Sequence, residues 1–115
     1  YAGFNKIHSN KFVIVAYENQ KAIACGALKE FDAGIFEIKR MYVLPGSRKR
    51  GIASMVLKEL ECWARELSYS KVILETGKMQ PEAIALYLKN GYKPIVNYGQ
   101  YAGVSNSVCF EKVIA

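Results

Sequence analysis

The order of apolar runs predicts an α/β fold: a mixed, mostly antiparallel sheet flanked by helices, in the order β-β-β-α-β-α-β-β. Three observations carry this. Short apolar runs separated by polar turns fill the front of the chain, as in an antiparallel meander. An amphipathic stretch of helical period then follows a turn rich in Gly and cations. A nearly all-apolar run, residues 71–75, lies between two helical segments, as the central strand of a crossover does.

Each element has a local reason. Phe12-Val13-Ile14-Val15-Ala16-Tyr17 is a compact strand, Asn19-Gln20-Lys21 a polar turn, and residues 22–28 a second strand, so the two form a hairpin. Asp32-Ala33-Gly34 leads into a third strand, Ile35–Val43. Alternation puts Ile35, Glu37, Lys39 and Met41 on one side, and Phe36, Ile38, Arg40 and Tyr42 on the other. Leu44-Pro45-Gly46-Ser47 ends that strand, because Pro removes a ladder donor and Gly frees the turn. The helix after Gly51, with its main amphipathic run at 54–67, places Ile52, Val56, Leu60, Trp63, Ala64 and Leu67 on one face. Glu61 and Arg65, four apart, suit its solvent face. Pro81 opens a second helix, 81–90, closed by Gly91. Strands at 92–95 and 107–113 complete the order, joined by a polar loop at 97–106. Residues 1–10 carry no pattern, and His8 among them reads as a surface residue.

Composition bounds the function. At 115 residues this is one domain, residues 1–115, with 51% hydrophobic and 23% charged residues, an ordinary globular balance. A chain that starts at Tyr1 rather than Met is expected to lack its natural N-terminus. The net charge of +6 suits a nucleic acid, an anionic membrane or a nucleotide-like cofactor. Nucleic acid is disfavoured because no recognition motif of that class is present. No apolar run is long enough to span a bilayer, so no membrane partner is expected. Cys25, Cys62 and Cys109 are widely spaced beside a single His, which argues against a metal site and for free, mostly buried thiols in a reducing cytoplasm.

The chemistry centres on Arg48-Lys49-Arg50-Gly51-Ile52-Ala53. A strand, a cationic Gly turn and a helix start bring free backbone N–H groups and the positive end of a helix dipole onto any anion placed there. Neither GxxxxGK(S/T) nor GxGxxG is present, so a triphosphate loop and a dinucleotide fingerprint are excluded.

Arg48-x-x-Gly51-x-Ala53 resembles instead the pyrophosphate-binding signature (Q/R)-x-x-G-x-(G/A) of the GNAT superfamily of N-acetyltransferases. Downstream, residues 80–92 resemble its second hallmark, N-x-x-A-x-x-L-Y-x-K-x-G-(F/Y), through Ala83, Leu86, Tyr87, Lys89, Gly91 and Tyr92, with Gln80 in place of Asn. Upstream, Glu37-Ile38-Lys39-Arg40-Met41-Tyr42-Val43 followed by Pro45 resembles the bulged strand before the pyrophosphate loop. The resemblance runs from Phe12 to Val113 and extends, at 74–77 and through the tail, to one bacterial branch. The family's front strand and helices are missing from it.

The resemblance implies an N-acetyltransferase that moves the acetyl group of acetyl-coenzyme A to an amine by direct transfer in a ternary complex. The acceptor is a small-molecule or protein amine, and a homodimer is compatible with this reading. Main-chain groups of Met41, Tyr42 and Val43 would pair with pantetheine, and the Val43 N–H would polarise the thioester carbonyl. Residues Arg48, Lys49, Arg50, Gly51, Ile52, Ala53 and Ser54 would hold the pyrophosphate, with Gln80 offering an amide. Interruption of the strand at Leu44-Pro45 would splay it from its neighbour. An amine near pKa ~10.4 needs a proton acceptor, for which Glu37 is the candidate; the alternative is a glutamate paired with Lys39 or Arg40. Tyr87 is the candidate acid for the departing thiolate, or else a core aromatic; Tyr98 and Tyr101 are further donors. Trp63 reads as core, and Cys109 lacks a partner His for a nucleophilic role. The other functional reading is a silent acyl-coenzyme A-binding or protein-interaction module.

Overall fold

Asn19 and Gln20 both take positive φ (51° and 65°), the backbone a two-residue hairpin turn requires. They join β2 (Phe12–Glu18) to β3 (Lys21–Asp32), and Ala33-Gly34 joins β3 to β4 (Ile35–Val43). The structure is a computed structural model that describes residues 3–8 and 12–115. Helix α1 (Ile52–Glu66), strand β5 (Lys71–Gly77), helix α2 (Pro81–Lys89), strand β6 (Lys93–Ile95) and strand β7 (Ser107–Val113) follow, with short 3-10 turns at Pro45–Ser47 and Gly99–Tyr101.

A further strand, β1 (Gly3–His8), pairs antiparallel with β2, Gly3 against Tyr17 through His8 against Phe12. Here the sequence pattern predicts no element. An edge strand needs only a backbone partner, so it leaves a weak mark in apolar periodicity. The seven strands lie in the order β1-β2-β3-β4-β5-β7-β6, antiparallel throughout except for β4 and β5.

Both helices cover one face. Ile14, Leu28, Phe36, Val72, Leu74 and Phe110 from the strands meet Val56, Leu57 and Leu60 of α1, all buried. Trp63 belongs to this core, its ring edge-on to Phe12 at 5.2 Å. Two helix expectations change. Leu67 is 39% exposed, because α1 ends at Glu66. Glu61 is not on a solvent face: it is buried, accepting hydrogen bonds from Tyr92 Oη (2.8 Å) and Lys112 Nζ (2.9 Å). Arg65 turns its Nε to the Ile114 carbonyl at 2.8 Å. These bonds tie α1 to β7 and the start of β6. The cysteines are free, but only Cys109 is fully buried; Cys62 is exposed.

The β4 alternation breaks at Arg40, which takes φ 57°. Ala27 faces Lys39 and Cys25 faces Tyr42, so Arg40 and Met41 together oppose Gly26: a β-bulge. The Cys25 thiol donates to the Arg40 carbonyl across it at 3.3 Å. The extra residue moves Met41 to the helix face, with Phe36 and Ile38, rather than to the side of Glu37. There Gly26 lets Met41 and α1 close in. A Cβ on Gly26 would lie 2.7 Å from Met41 Sδ, 2.8 Å from Leu60 Cδ1 and 2.9 Å from Val56 Cγ1.

On the approach to the bulge β4 leaves β5. Only Ile35–Lys71, Phe36–Val72 and Glu37–Ile73 pair, whereas β5 stays with β7 over its full length to Gly77. The divergence therefore starts after Glu37, not at the expected Leu44-Pro45, because a bulge bends the strand that carries it.

Gly26→Ala should destabilise the fold by about 1–3 kcal/mol through overpacking. Urea unfolding of the two proteins measures it, and an unchanged midpoint would mean that α1 has room to retreat.

Candidate active site

The two parallel strands end on the same side, and their opening is flanked by the starts of both helices. On the β4 side, Leu44 N–H is held by the Ile23 carbonyl at 2.8 Å. N–H directions alternate along a strand, so the Val43 N–H faces the opening. The Pro45–Ser47 turn then carries the chain to α1. Lys49 (φ 64°) and Gly51 (φ 78°) are both left-handed, which turns the backbone sharply into the helix. No side chain caps α1, its first turn holds no acidic residue, and its first intrahelical bond runs from Met55 N–H to the Gly51 carbonyl at 3.1 Å. The amides of Ile52, Ala53 and Ser54 thus start the helix without intrahelical acceptors, the arrangement that receives an anion.

The cations of this turn have separate tasks. Arg50 forms a two-pronged ion pair with Glu18 of β2. Arg48 donates Nε to the Val43 carbonyl at 2.9 Å and lies over the Tyr42 ring. Lys49 is exposed. Ser54 Oγ accepts from Asn90 Nδ2 at 3.1 Å, which joins the start of α1 to the end of α2. Across the opening, Gln80 occupies the N-cap position of α2, exposed and making no side-chain cap.

Glu37 sits where the strands part, buried on the face away from the helices. Its Oε2 accepts a hydrogen bond from Tyr98 Oη at 2.7 Å and lies 3.5 Å from Lys39 Nζ. Lys39 also donates to Tyr101 Oη at 3.0 Å. Burial, then the bond to Glu37, push the Tyr98 phenol well above its ordinary range, so it remains a donor. The bond to Tyr101, then the Glu37 charge, hold the Lys39 ammonium above the usual lysine range.

Tyr87 lies on the helix face. Its ring meets Tyr92 (5.8 Å) and Phe110 (5.9 Å), and Phe110 pairs with Leu74, the first β5 residue without a β4 partner. Burial first, and then the charge of Glu75, push the phenol up to about 12.

This arrangement coincides with a known family. Residues 2–92 match the model of the Acetyltransferase (GNAT) family. The chain belongs to that family. An IAA acetyltransferase of Azospirillum brasilense is 35% identical over 100 residues, covering 86% of this GNAT chain and 65% of that protein, so the chain spans less than two thirds of this relative. A Klebsiella pneumoniae protein, provisionally described as an acyl-CoA N-acyltransferase, superposes with a TM-score of 0.88 at 33% identity, covering 92% of this chain and 74% of that one. A GNAT acetyltransferase of Elizabethkingia anophelis, solved with acetyl-CoA bound, has a TM-score of 0.76 at 21% identity over 90% of this chain and 76% of its own; that likeness shows the shared fold.

Within the GNAT fold, the β4 edge (Met41, Tyr42, Val43), the turn 48–54, Gln80 and Glu37 border the opening, while Tyr87 is buried beside Phe110, the partner of Leu74. They do not share one face: Glu37 lies on one side of the sheet and Tyr87 on the other. Arg50 differs from the expectation of a free phosphate ligand, since Glu18 already engages it. Of the two further candidate donors, Tyr98 bonds Glu37 and Tyr101 accepts from Lys39. His8 lies in β1 by its backbone, and its side chain falls outside the described residues. Cys109 is fully buried on β7, and burial pushes its thiol up. The sequence reading missed the Glu37–Tyr98 bond, for which no local signal exists across 61 positions.

A phenol with a raised folded pKa stabilises the fold fully below its unfolded value near 10, and that contribution is lost as pH rises through about 12. Alkaline difference spectra of wild type and Tyr87→Phe should therefore differ by a phenol ionising near pH 12. A lost phenolate signal near pH 10 would show this hydroxyl open to water.

Proposed function

We propose that this chain is the catalytic domain of an N-acetyltransferase, which moves the acetyl group of acetyl-coenzyme A directly to an amine in a ternary complex. One observation carries the reading most: β4 leaves β5 just after Glu37, and its freed edge runs into an uncapped helix start at Gly51.

The residues fit the co-substrate. The amides and cations of residues 48–54 suit a pyrophosphate, and Lys49 with Arg48 leaves positive charge at the turn after Arg50 is neutralised by Glu18. The edge of Met41–Val43 offers pairing to amide groups of an extended pantetheine arm, as a strand edge does. Bound there, acetyl-coenzyme A supplies an activated acyl group. The Val43 N–H then aims at the thioester oxygen as an oxyanion donor. Glu37 accepts the proton of the attacking amine, directly or through water, while Tyr98 and Lys39 fix the direction of its carboxylate. Tyr87, kept protonated by burial, donates to the leaving sulfur. The family resemblance implies these roles for Val43, Glu37 and Tyr87.

Calorimetry with acetyl-coenzyme A tests the cradle. Gly51→Val combines a β-branched side chain with φ 78° and blocks close approach, and should weaken binding at least about tenfold. Wild-type affinity in that variant would remove the turn from the site. Thiol release tests the acid: Tyr87→Phe should lower kcat about a hundredfold while the affinity for acetyl-coenzyme A stays nearly unchanged. An unaltered rate would return Tyr87 to the core.

A further inference from the structure

On the face opposite the helices, Glu37 opens into a groove of about 350 Å³ lined by Lys29, Glu30, Phe31, Lys39, Tyr98 and Tyr101, the Glu30 carboxylate being engaged by Tyr69 Oη. Its charges alternate by construction. Lys29 pairs across the strands with Glu37, and Lys39 follows two positions along β4, so all three side chains share one face. The Lys29 side chain makes no ion pair or hydrogen bond among the described residues, and the Arg40 side chain, equally unengaged, lines an adjoining groove with Lys29 and Lys39. Phe31, Tyr98 and Tyr101 stand edge to face in sequence, at 5.1 and 5.6 Å, and form an aromatic wall.

We infer that the acceptor is a free α-amino acid with an apolar or aromatic side chain; this rests on the acetyltransferase reading above. An α-amino acid carries its amine and its carboxylate on one carbon. The groove offers opposite charges at matching proximity, with Glu37 and Lys39 3.5 Å apart. Glu37 receives the amine, Lys39 and Lys29 receive the carboxylate, and the aromatic wall takes the side chain. The volume suits one such molecule. A polyamine would set its second cation among Lys29, Lys39 and Arg40, a like-charge arrangement that selects against it. In the reaction, the amine nitrogen bonds to the acetyl carbon and the carbon–sulfur bond breaks. The proton from nitrogen goes to Glu37, and the sulfur takes one from Tyr87, which gives an N-acetyl amino acid and coenzyme A.

The test is thiol release and product mass with the intact protein. The acceptors are phenylalanine, leucine, phenylalaninamide, phenethylamine, spermidine and a lysine-containing peptide. The two amino acids should exceed the amide and the carboxylate-free amine by about tenfold or more in kcat/KM. Lys29→Met and Lys39→Met, each checked for an unchanged circular dichroism spectrum, should shrink that ratio toward one by raising KM for the amino acid. Equal or better use of the amide, phenethylamine, spermidine or the peptide overturns the assignment, and so does a ratio that survives both lysine variants. Acetyl-coenzyme A binding without turnover of any amine in the panel overturns it too. Failure to bind acetyl-coenzyme A would instead overturn the acetyltransferase reading beneath it.

Discussion

The extra residue at Arg40–Met41 bends β4 while its neighbour β5 stays paired with β7 along its length, and the architecture of the site depends on this mismatch. The sheet becomes two halves, β1 to β4 and β5 with β7 and β6, joined by three residue pairs. An opening of this kind leaves backbone donors and acceptors without strand partners, which costs free energy unless water or a ligand meets them. The fold accepts that cost because other contacts hold the halves together.

Helix α1 supplies most of those contacts. Its Val56 and Leu60 press onto Gly26 of the first half. Its Glu61, Arg65 and Ser54 bond Tyr92, Lys112, Ile114 and Asn90 of the second. A buried carboxylate with two donors is destabilising to break, and this one anchors α1 to the second half. The same helix presents its uncapped start to the opening, so the element that clamps the sheet also brings free N–H groups to it.

The far face follows a different logic. The loop at 97–106 returns over β4 and places two phenols against Glu37 and Lys39. A buried carboxylate and a half-buried ammonium are thereby oriented without being neutralised completely. Arg40, displaced by the bulge, and Lys29 leave positive charge beside them. One side of the sheet thus carries the uncapped helix start beside its cations, and the other a groove where Glu37 stands among Lys29, Lys39 and two phenols.

Much of this was legible in the chain. The hairpin turns, the helix starts at Gly51 and Pro81, the parallel crossover and the cationic turn all depend on neighbours within a few residues, so local residue types determine them. Glu61 was misplaced on a solvent face because helical spacing cannot show that Lys112 and Tyr92 wait beneath it. Met41 was assigned to the wrong side because a bulge resets alternation without a mark in composition. Edge strand β1 escaped for a similar reason, its order coming from a partner rather than from its own apolar pattern. The amino-acid sequence by itself determined the elements from β2 onward, their order and the cationic turn before α1. Only the tertiary structure decided where the sheet opens, which cations remain free, and what surrounds Glu37, because those depend on register and on contacts between residues far apart in the chain.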